Sequence, residues 1–133
     1  MNDTVSSNQP QSIVVVEDDS GMSRAIQRLL RAAGFQCHCF GSAEELLQTD
    51  VAESAVCLVV DIQLPGLSGL ELSQLLITSG RAKPVIFITG QDEAKWHDQA
   101  RELGCAYFCK PFEGKDLLEA IRREAKLVKQ SNA

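Results

Sequence analysis

Val56-Cys57-Leu58-Val59-Val60 is an unbroken apolar run that ends on Asp61 and leads at once into Leu64-Pro65-Gly66-Leu67-Ser68-Gly69, a turn-rich segment. A strand of this kind suits the middle of a parallel sheet, where both faces are covered. The ionised carboxylate at its end is unfavourable there unless something pairs with it. Three more apolar runs end in the same manner. Ile13-Val14-Val15-Val16 reaches Glu17-Asp18-Asp19, Val85-Ile86-Phe87-Ile88 reaches Thr89, and Ala106-Tyr107-Phe108-Cys109 reaches Lys110-Pro111. Acids, a hydroxyl and an ammonium thus fall at the carboxyl ends of four strands.

The segments between these runs read as helices. Ser20 is placed to cap a helix in which Met22, Ile26, Leu29, Leu30 and Ala33 share a face, and Gly34 stops it. Phe35 to Phe40 is a weaker strand, and Ser42-Ala43-Glu44-Glu45 is a capping-box pattern opening a short helix through Leu46 and Leu47. Leu72, Leu75 and Leu76 lie on one side of a third helix, ended by Gly80; Pro84 starts the fourth strand. Glu93 to Leu103 is a weakly amphipathic helix ended by Gly104, and Leu117, Leu118, Ile121, Ala125 and Val128 mark the last one. The alternation βαβαβαβαβα predicts an α/β fold with helices on both faces of a parallel sheet. Ligands of such sheets bind beyond the carboxyl ends of the strands, where strand order reverses.

The chain of 133 residues fits one domain, expected over 12–129 between a polar leader (1–11) and a polar tail (130–133). No apolar stretch approaches transmembrane length, the leader lacks a signal-peptide core, and a cytoplasmic location is the expectation. A net charge of −5 argues against nucleic-acid binding. The basic residues near the C-terminus (Lys115, Arg122, Arg123, Lys126, Lys129) are interleaved with Asp116, Glu119 and Glu124, as on a solvated helix face. Five cysteines without a CxxC pair suggest reduced thiols. In Cys37-His38-Cys39 a strand would put both sulfurs on one face and His38 on the other; small core residues are the expected account.

Glu17, Asp18 and Asp61 on one rim would repel one another without a cation. Oxygen ligands at a partly open site suit Mg²⁺, which keeps waters and shares phosphate oxygens. Lys110 supplies a fixed positive charge and Thr89 a hydroxyl. A carboxylate nucleophile, a metal, an ammonium and a hydroxyl together make a phosphoryl-transfer site with the carboxylate as acceptor.

From about Ser12 to Val128 the chain resembles the receiver domain of two-component response regulators. The resemblance rests on Val16-Glu17-Asp18, Asp61 with Pro65-Gly66-Leu67-Ser68-Gly69-Leu70-Glu71-Leu72, Ile88-Thr89-Gly90 and Lys110-Pro111-Phe112. Receivers that precede LuxR-type DNA-binding domains look most similar. The resemblance implies a flavodoxin-like (βα)5 three-layer sandwich with strand order 2-1-3-4-5. It implies that Asp61 accepts a phosphoryl group from a sensor histidine kinase or phosphotransfer protein. Asp18 would be a direct Mg²⁺ ligand, Glu17 would act partly through water, and the backbone carbonyl of Gln63 would complete the set. Thr89 and Lys110 would contact the phosphoryl oxygens. Tyr107, with Phe108 as the neighbouring alternative, would be the switch aromatic, reshaping the face of the fourth helix, fifth strand and fifth helix.

The implied output runs through a partner, a C-terminal effector domain or homodimerisation on phosphorylation, and the implied process is transcription regulation through a phosphorelay. Because no helix-turn-helix follows Ala133, the chain reads as a single-domain regulator or as a receiver separated from its effector. Gln63 and Gln91 would flank the path of a hydrolytic water. Trp96 in the fourth helix is expected to pack against the sheet, or, if exposed, to anchor a partner. The competing reading is a phosphorylation-independent interaction module, against which the intact acids, Thr89 and Lys110 argue. A haloacid-dehalogenase-type enzyme would want a second Asp where Gln63 stands, and a flavodoxin-type cofactor binder would want a phosphate loop in place of an acidic rim. The chemistry expected of the chain is therefore confined to its own phosphorylation and dephosphorylation.

Overall fold

The computed structural model describes residues 10–91 and 93–131, with side chains as far as residue 126. Residues 1–9 of the expected leader, 132–133 of the expected tail and the Val128 side chain lie outside the described residues. Five strands alternate with five helices: β1 (Ser12–Val16), α1 (Ser20–Ala32), β2 (Gln36–Phe40), α2 (Ala43–Leu47), β3 (Ala55–Asp61), α3 (Gly69–Thr78), β4 (Val85–Thr89), α4 (Ala94–Glu102), β5 (Ala106–Cys109) and α5 (Gly114–Ser131). A single 3₁₀ turn, Val51–Ser54, leads into β3. The strands form one parallel sheet in the order β2-β1-β3-β4-β5, the expected flavodoxin-like arrangement.

Alternation along the strands divides the core between two layers. Val14, Val16, Leu58, Val60, Val85 and Phe87 meet Ala43, Leu46, Leu72, Leu76 and Ala100 on the α2, α3 and α4 side. Ile13, Val15, Cys57, Val59, Ile86 and Ile88 meet Ile26, Leu30, Leu117, Ala120 and Ile121 on the α1 and α5 side. Every residue of β3 but Val56 is buried, as a central strand covered on both faces requires. Trp96 is half-buried and packs on the α2–α4 layer, the expected one of its two placements.

Two local expectations, the cap of α1 and the place of Cys39, are corrected, and the apolar side of α3 is only partly covered. Asp19, not Ser20, caps α1: its carboxylate accepts the Gly21 N–H at 3.2 Å, so the helix begins one residue after the acid that caps it. Leu75 is 42% exposed although Leu72 and Leu76 are buried, because α3 turns only part of its apolar side to the sheet. Cys39 is exposed whereas Cys37 is buried, and both lie on β2, an edge strand of the sheet.

Candidate functional site

Parallel register brings the ends of β1, β3, β4 and β5 to one rim. Glu17 and Asp18 follow β1, Asp61 closes β3, Thr89 closes β4 and Lys110 follows β5. The point where strand order reverses lies between β1 and β3, so the acids straddle it. Ligand oxygens of Glu17, Asp18 and Asp61 all lie within 4.8 Å of one another. Glu17 is 2% exposed and Asp61 4%, whereas Asp18 faces solvent.

Lys110 answers the buried pair directly. Its Nζ donates to Glu17 Oε1 at 2.7 Å and to Asp61 Oδ2 at 2.9 Å. Burial pushes Glu17 up to about 7; Lys110 and the Asp19 N–H pull it back, and Asp61 adds to the rise. Burial works against the Lys110 charge, yet the hydrogen bonds to Asp61 and Glu17 hold its pKa above the ordinary lysine value. One ammonium therefore serves two buried carboxylates, with a third acid exposed beside them. That excess of hard oxygen donors fits a hard divalent cation.

The second oxygen of Asp61 is also held: Oδ1 accepts the Gln63 N–H at 2.8 Å. The Gln63 side chain reaches over the rim, and its Nε2 donates to Gln91 Oε1 at 3.0 Å. Thr89 is fully buried, and its hydroxyl is engaged by its own loop. It donates to the Gln91 carbonyl and accepts the Gln91 N–H, both at 3.1 Å. The Lys110 N–H donates to the Thr89 carbonyl at 2.7 Å, tying the two strand ends together.

Tyr107 shares a sheet face with Phe87 and packs on the α2–α4 layer; Phe108 packs on the opposite layer with Phe112. Thr89 is two residues beyond Phe87 and so looks to the same side as Tyr107. The Tyr107 hydroxyl donates to the Gln91 carbonyl at 3.5 Å, the acceptor that Thr89 also uses. The His97 ring of α4 lies 3.8 Å from the Tyr107 ring, centroid to centroid.

Glu44 is a site residue that sequence reasoning missed. Within the capping pattern it is Glu45 that turns back, accepting the Gly41 N–H, while Ser42 Oγ accepts from Glu45. Glu44 is left to reach the loop after Asp61, where Oε2 accepts the Leu67 N–H at 2.8 Å. The carboxylate lies over Gly66, whose φ of +75° and lack of Cβ leave room for it. Gly69, at the start of α3, is equally constrained: a Cβ there would meet the Asp61 carbonyl oxygen at 2.4 Å. Ser68 and Glu71 close a reciprocal capping box that fixes this helix end. Nothing local marks Glu44, because its partner is 23 residues away.

Comparison with known proteins identifies a family. The family model described as the response regulator receiver domain matches residues 13–122. Nodulation protein W of Bradyrhizobium diazoefficiens is 40% identical over 110 residues, covering 82% of this chain and 48% of that protein. The response regulator protein TmoT of Ectopseudomonas mendocina is 37% identical over 125 residues, covering 92% of this chain and 56% of its own length. Among solved structures, the response regulator StyR superposes with a TM-score of 0.84 at 33% identity, over 92% of this chain and 63% of that one. The chain spans about half the length of these two curated relatives.

Proposed function

Because the chain belongs to the response-regulator receiver family, we propose that residues 12–129 form a receiver domain in which Asp61 accepts a phosphoryl group and thereby switches an output. The observation that carries this reading is the pairing of Asp61 and Glu17 with one ammonium, that of Lys110, beside the exposed acid Asp18.

An Asp61 oxygen attacks the phosphorus of a phosphohistidine on a sensor kinase or phosphotransfer protein. A P–O bond forms as the P–N bond breaks, and the histidine nitrogen keeps the electron pair and takes up a proton. Lys110, already bonded to Asp61 Oδ2, is placed to follow the phosphoryl oxygens as negative charge accumulates. Mg²⁺ held by Asp18, Asp61, the Gln63 carbonyl and, partly through water, Glu17 would neutralise charge on the transferring group.

The phosphoryl group adds about −1.5 to −2 charges and three acceptor oxygens. Thr89 then leaves the Gln91 main chain to donate to it. Tyr107, which shares the Gln91 carbonyl with Thr89, turns inward into the space that Thr89 vacates. The α4-β5-α5 face changes shape, and this change is what a partner, an effector domain or a second copy of the chain reads. Hydrolysis by water resets the switch past Gln63 and Gln91. No helix among the described residues is long and apolar enough to cross a membrane, in keeping with work in the cytoplasm.

Incubation with a small acyl phosphate and Mg²⁺ tests the reading. It predicts one phosphoryl mass on the protein, dependent on Mg²⁺ and absent in Asp61→Asn. Equal labelling of Asp61→Asn overturns it.

A further inference from the structure

The sulfurs of Cys37 and Cys39 lie 3.7 Å apart on one face of β2. The pair lies on β2, a strand that carries none of the rim residues. Cys37 is buried in the α1–α5 layer, but Cys39 is exposed, so packing accounts for the first thiol and not for the second. β2 is an edge strand bonded only to β1 in the sheet, with Cys37 opposite Ile13 and Cys39 opposite Val15. The pair is therefore fixed on a ladder and open on one side.

Two chemistries are available to thiols so placed, and geometry separates them. Residues two apart on a strand have Cα atoms about 6.6 Å apart. That is near the upper end of the roughly 4.4–6.8 Å that disulfides span, and closing one here means drawing the sulfurs from 3.7 Å to about 2.05 Å. Chelation needs no such movement. Two thiolates at about 2.3 Å from a tetrahedral ion are separated by about 3.8 Å, close to the spacing already present.

From this match we infer that Cys37 and Cys39 form a bidentate thiolate site for a soft divalent cation of the Zn²⁺ or Cd²⁺ kind, with water completing the ion's shell. Among the described residues no third His, Cys, Asp or Glu joins the pair, so the site is open and exchangeable and does not build the fold. The electrostatics agree. The hydrogen bond from Cys37 draws Cys39 down to about 6 against burial, helped by Ser23, Arg31 and the neighbouring His38. The same bond to Cys39, with burial, raises Cys37 far above the ordinary thiol value. The pair thus holds one proton between two sulfurs near neutrality, and the cation displaces it. His38, on the other face of the strand, contributes no ligand.

The test is a Cd²⁺ titration of the reduced chain in excess Mg²⁺, which occupies the hard carboxylate site, followed by sulfur-to-cadmium charge-transfer absorption. Expected are one Cd²⁺ per chain, competition by Zn²⁺ and release of about one proton at pH 7. Cys39→Ser should weaken binding by at least about tenfold. Because Cys39 is exposed, that variant keeps its fold, which retained acyl-phosphate labelling of Asp61 verifies independently. Cys105→Ser and Cys109→Ser should bind as the parent chain does. Unchanged affinity in Cys39→Ser, loss of binding in Cys105→Ser or Cys109→Ser, or no charge-transfer band at all overturns the inference.

Discussion

Lys110 Nζ lies 2.7 Å from Glu17 Oε1, so the ammonium that answers Asp61 is shared with a second buried acid. Removing the ammonium leaves two buried carboxylates without their counter-ion, whereas removing Glu17 leaves Lys110 still paired with Asp61. Lys110→Ala should therefore destabilise the metal-free chain by about 3 kcal/mol. Glu17→Gln, which keeps the shape and lowers the acid excess, should be close to neutral in stability. Urea unfolding without divalent ions measures both, and equal losses would refute the sharing.

Glu17 also sets a pH dependence. Burial raises its folded-state pKa from 4.5 to about 7, so the folded chain binds this proton more tightly than the unfolded one. Its contribution to stability is complete below about 4.5 and is lost as pH rises through about 7. Without metal, the parent chain should lose stability relative to Glu17→Gln across that window. Urea midpoints of the two proteins at several pH values provide the check; a gap that does not change with pH contradicts the assignment.

The Glu44 contact with Leu67 predicts a kinetic effect without loss of fold. Glu44→Gln weakens a charge-assisted bond that holds the loop carrying Gln63. Its acyl-phosphate labelling rate should fall by about two- to tenfold. The Mg²⁺ requirement should rise while the unfolding midpoint stays nearly unchanged. Gly69→Ala should behave in the opposite sense. Its Cβ meets the backbone of Asp61, and overpacking of this kind costs about 1–3 kcal/mol. Thermal unfolding together with labelling rates distinguishes the two.

Gln63 and Gln91 share one side-chain hydrogen bond across the rim. If this bridge shields the aspartyl phosphate from water, Gln63→Ala and Gln91→Ala should each shorten its lifetime. The double variant should be little worse than either, because both remove the same bond. Lifetimes measured after removal of the phosphoryl donor test this, and fully additive effects would show that the residues act separately.

What the sequence disclosed follows from the range of the interactions involved. The sheet was legible because each strand carries its own apolar run and each of the rim groups sits at the end of one; parallel register then assembles Glu17, Asp18, Asp61, Thr89 and Lys110 without further information. Which face of the sheet Tyr107 and Phe108 each take could not be read until the alternation of β5 was anchored, and the pairing of Phe87 with Tyr107 supplied that anchor. Glu44 was invisible because its partner is a backbone amide on a distant loop. Asp19 was passed over as a cap because its neighbour Ser20 is an equally good capping type. Cys39 was assigned to the core by residue type, whereas the edge position of β2 leaves it in solvent.

The central claim is that one carboxylate, Asp61, is the phosphoryl acceptor, and chemical mapping of the labelled residue tests it most directly. Borohydride reduces an aspartyl phosphate at its acyl carbon to an alcohol, which marks the side chain permanently for peptide sequencing by mass spectrometry. After labelling with a small acyl phosphate and Mg²⁺, the mark should appear at Asp61 and nowhere else. A mark at Glu17 or Asp18, or a labelled protein carrying none at Asp61, would contradict the account.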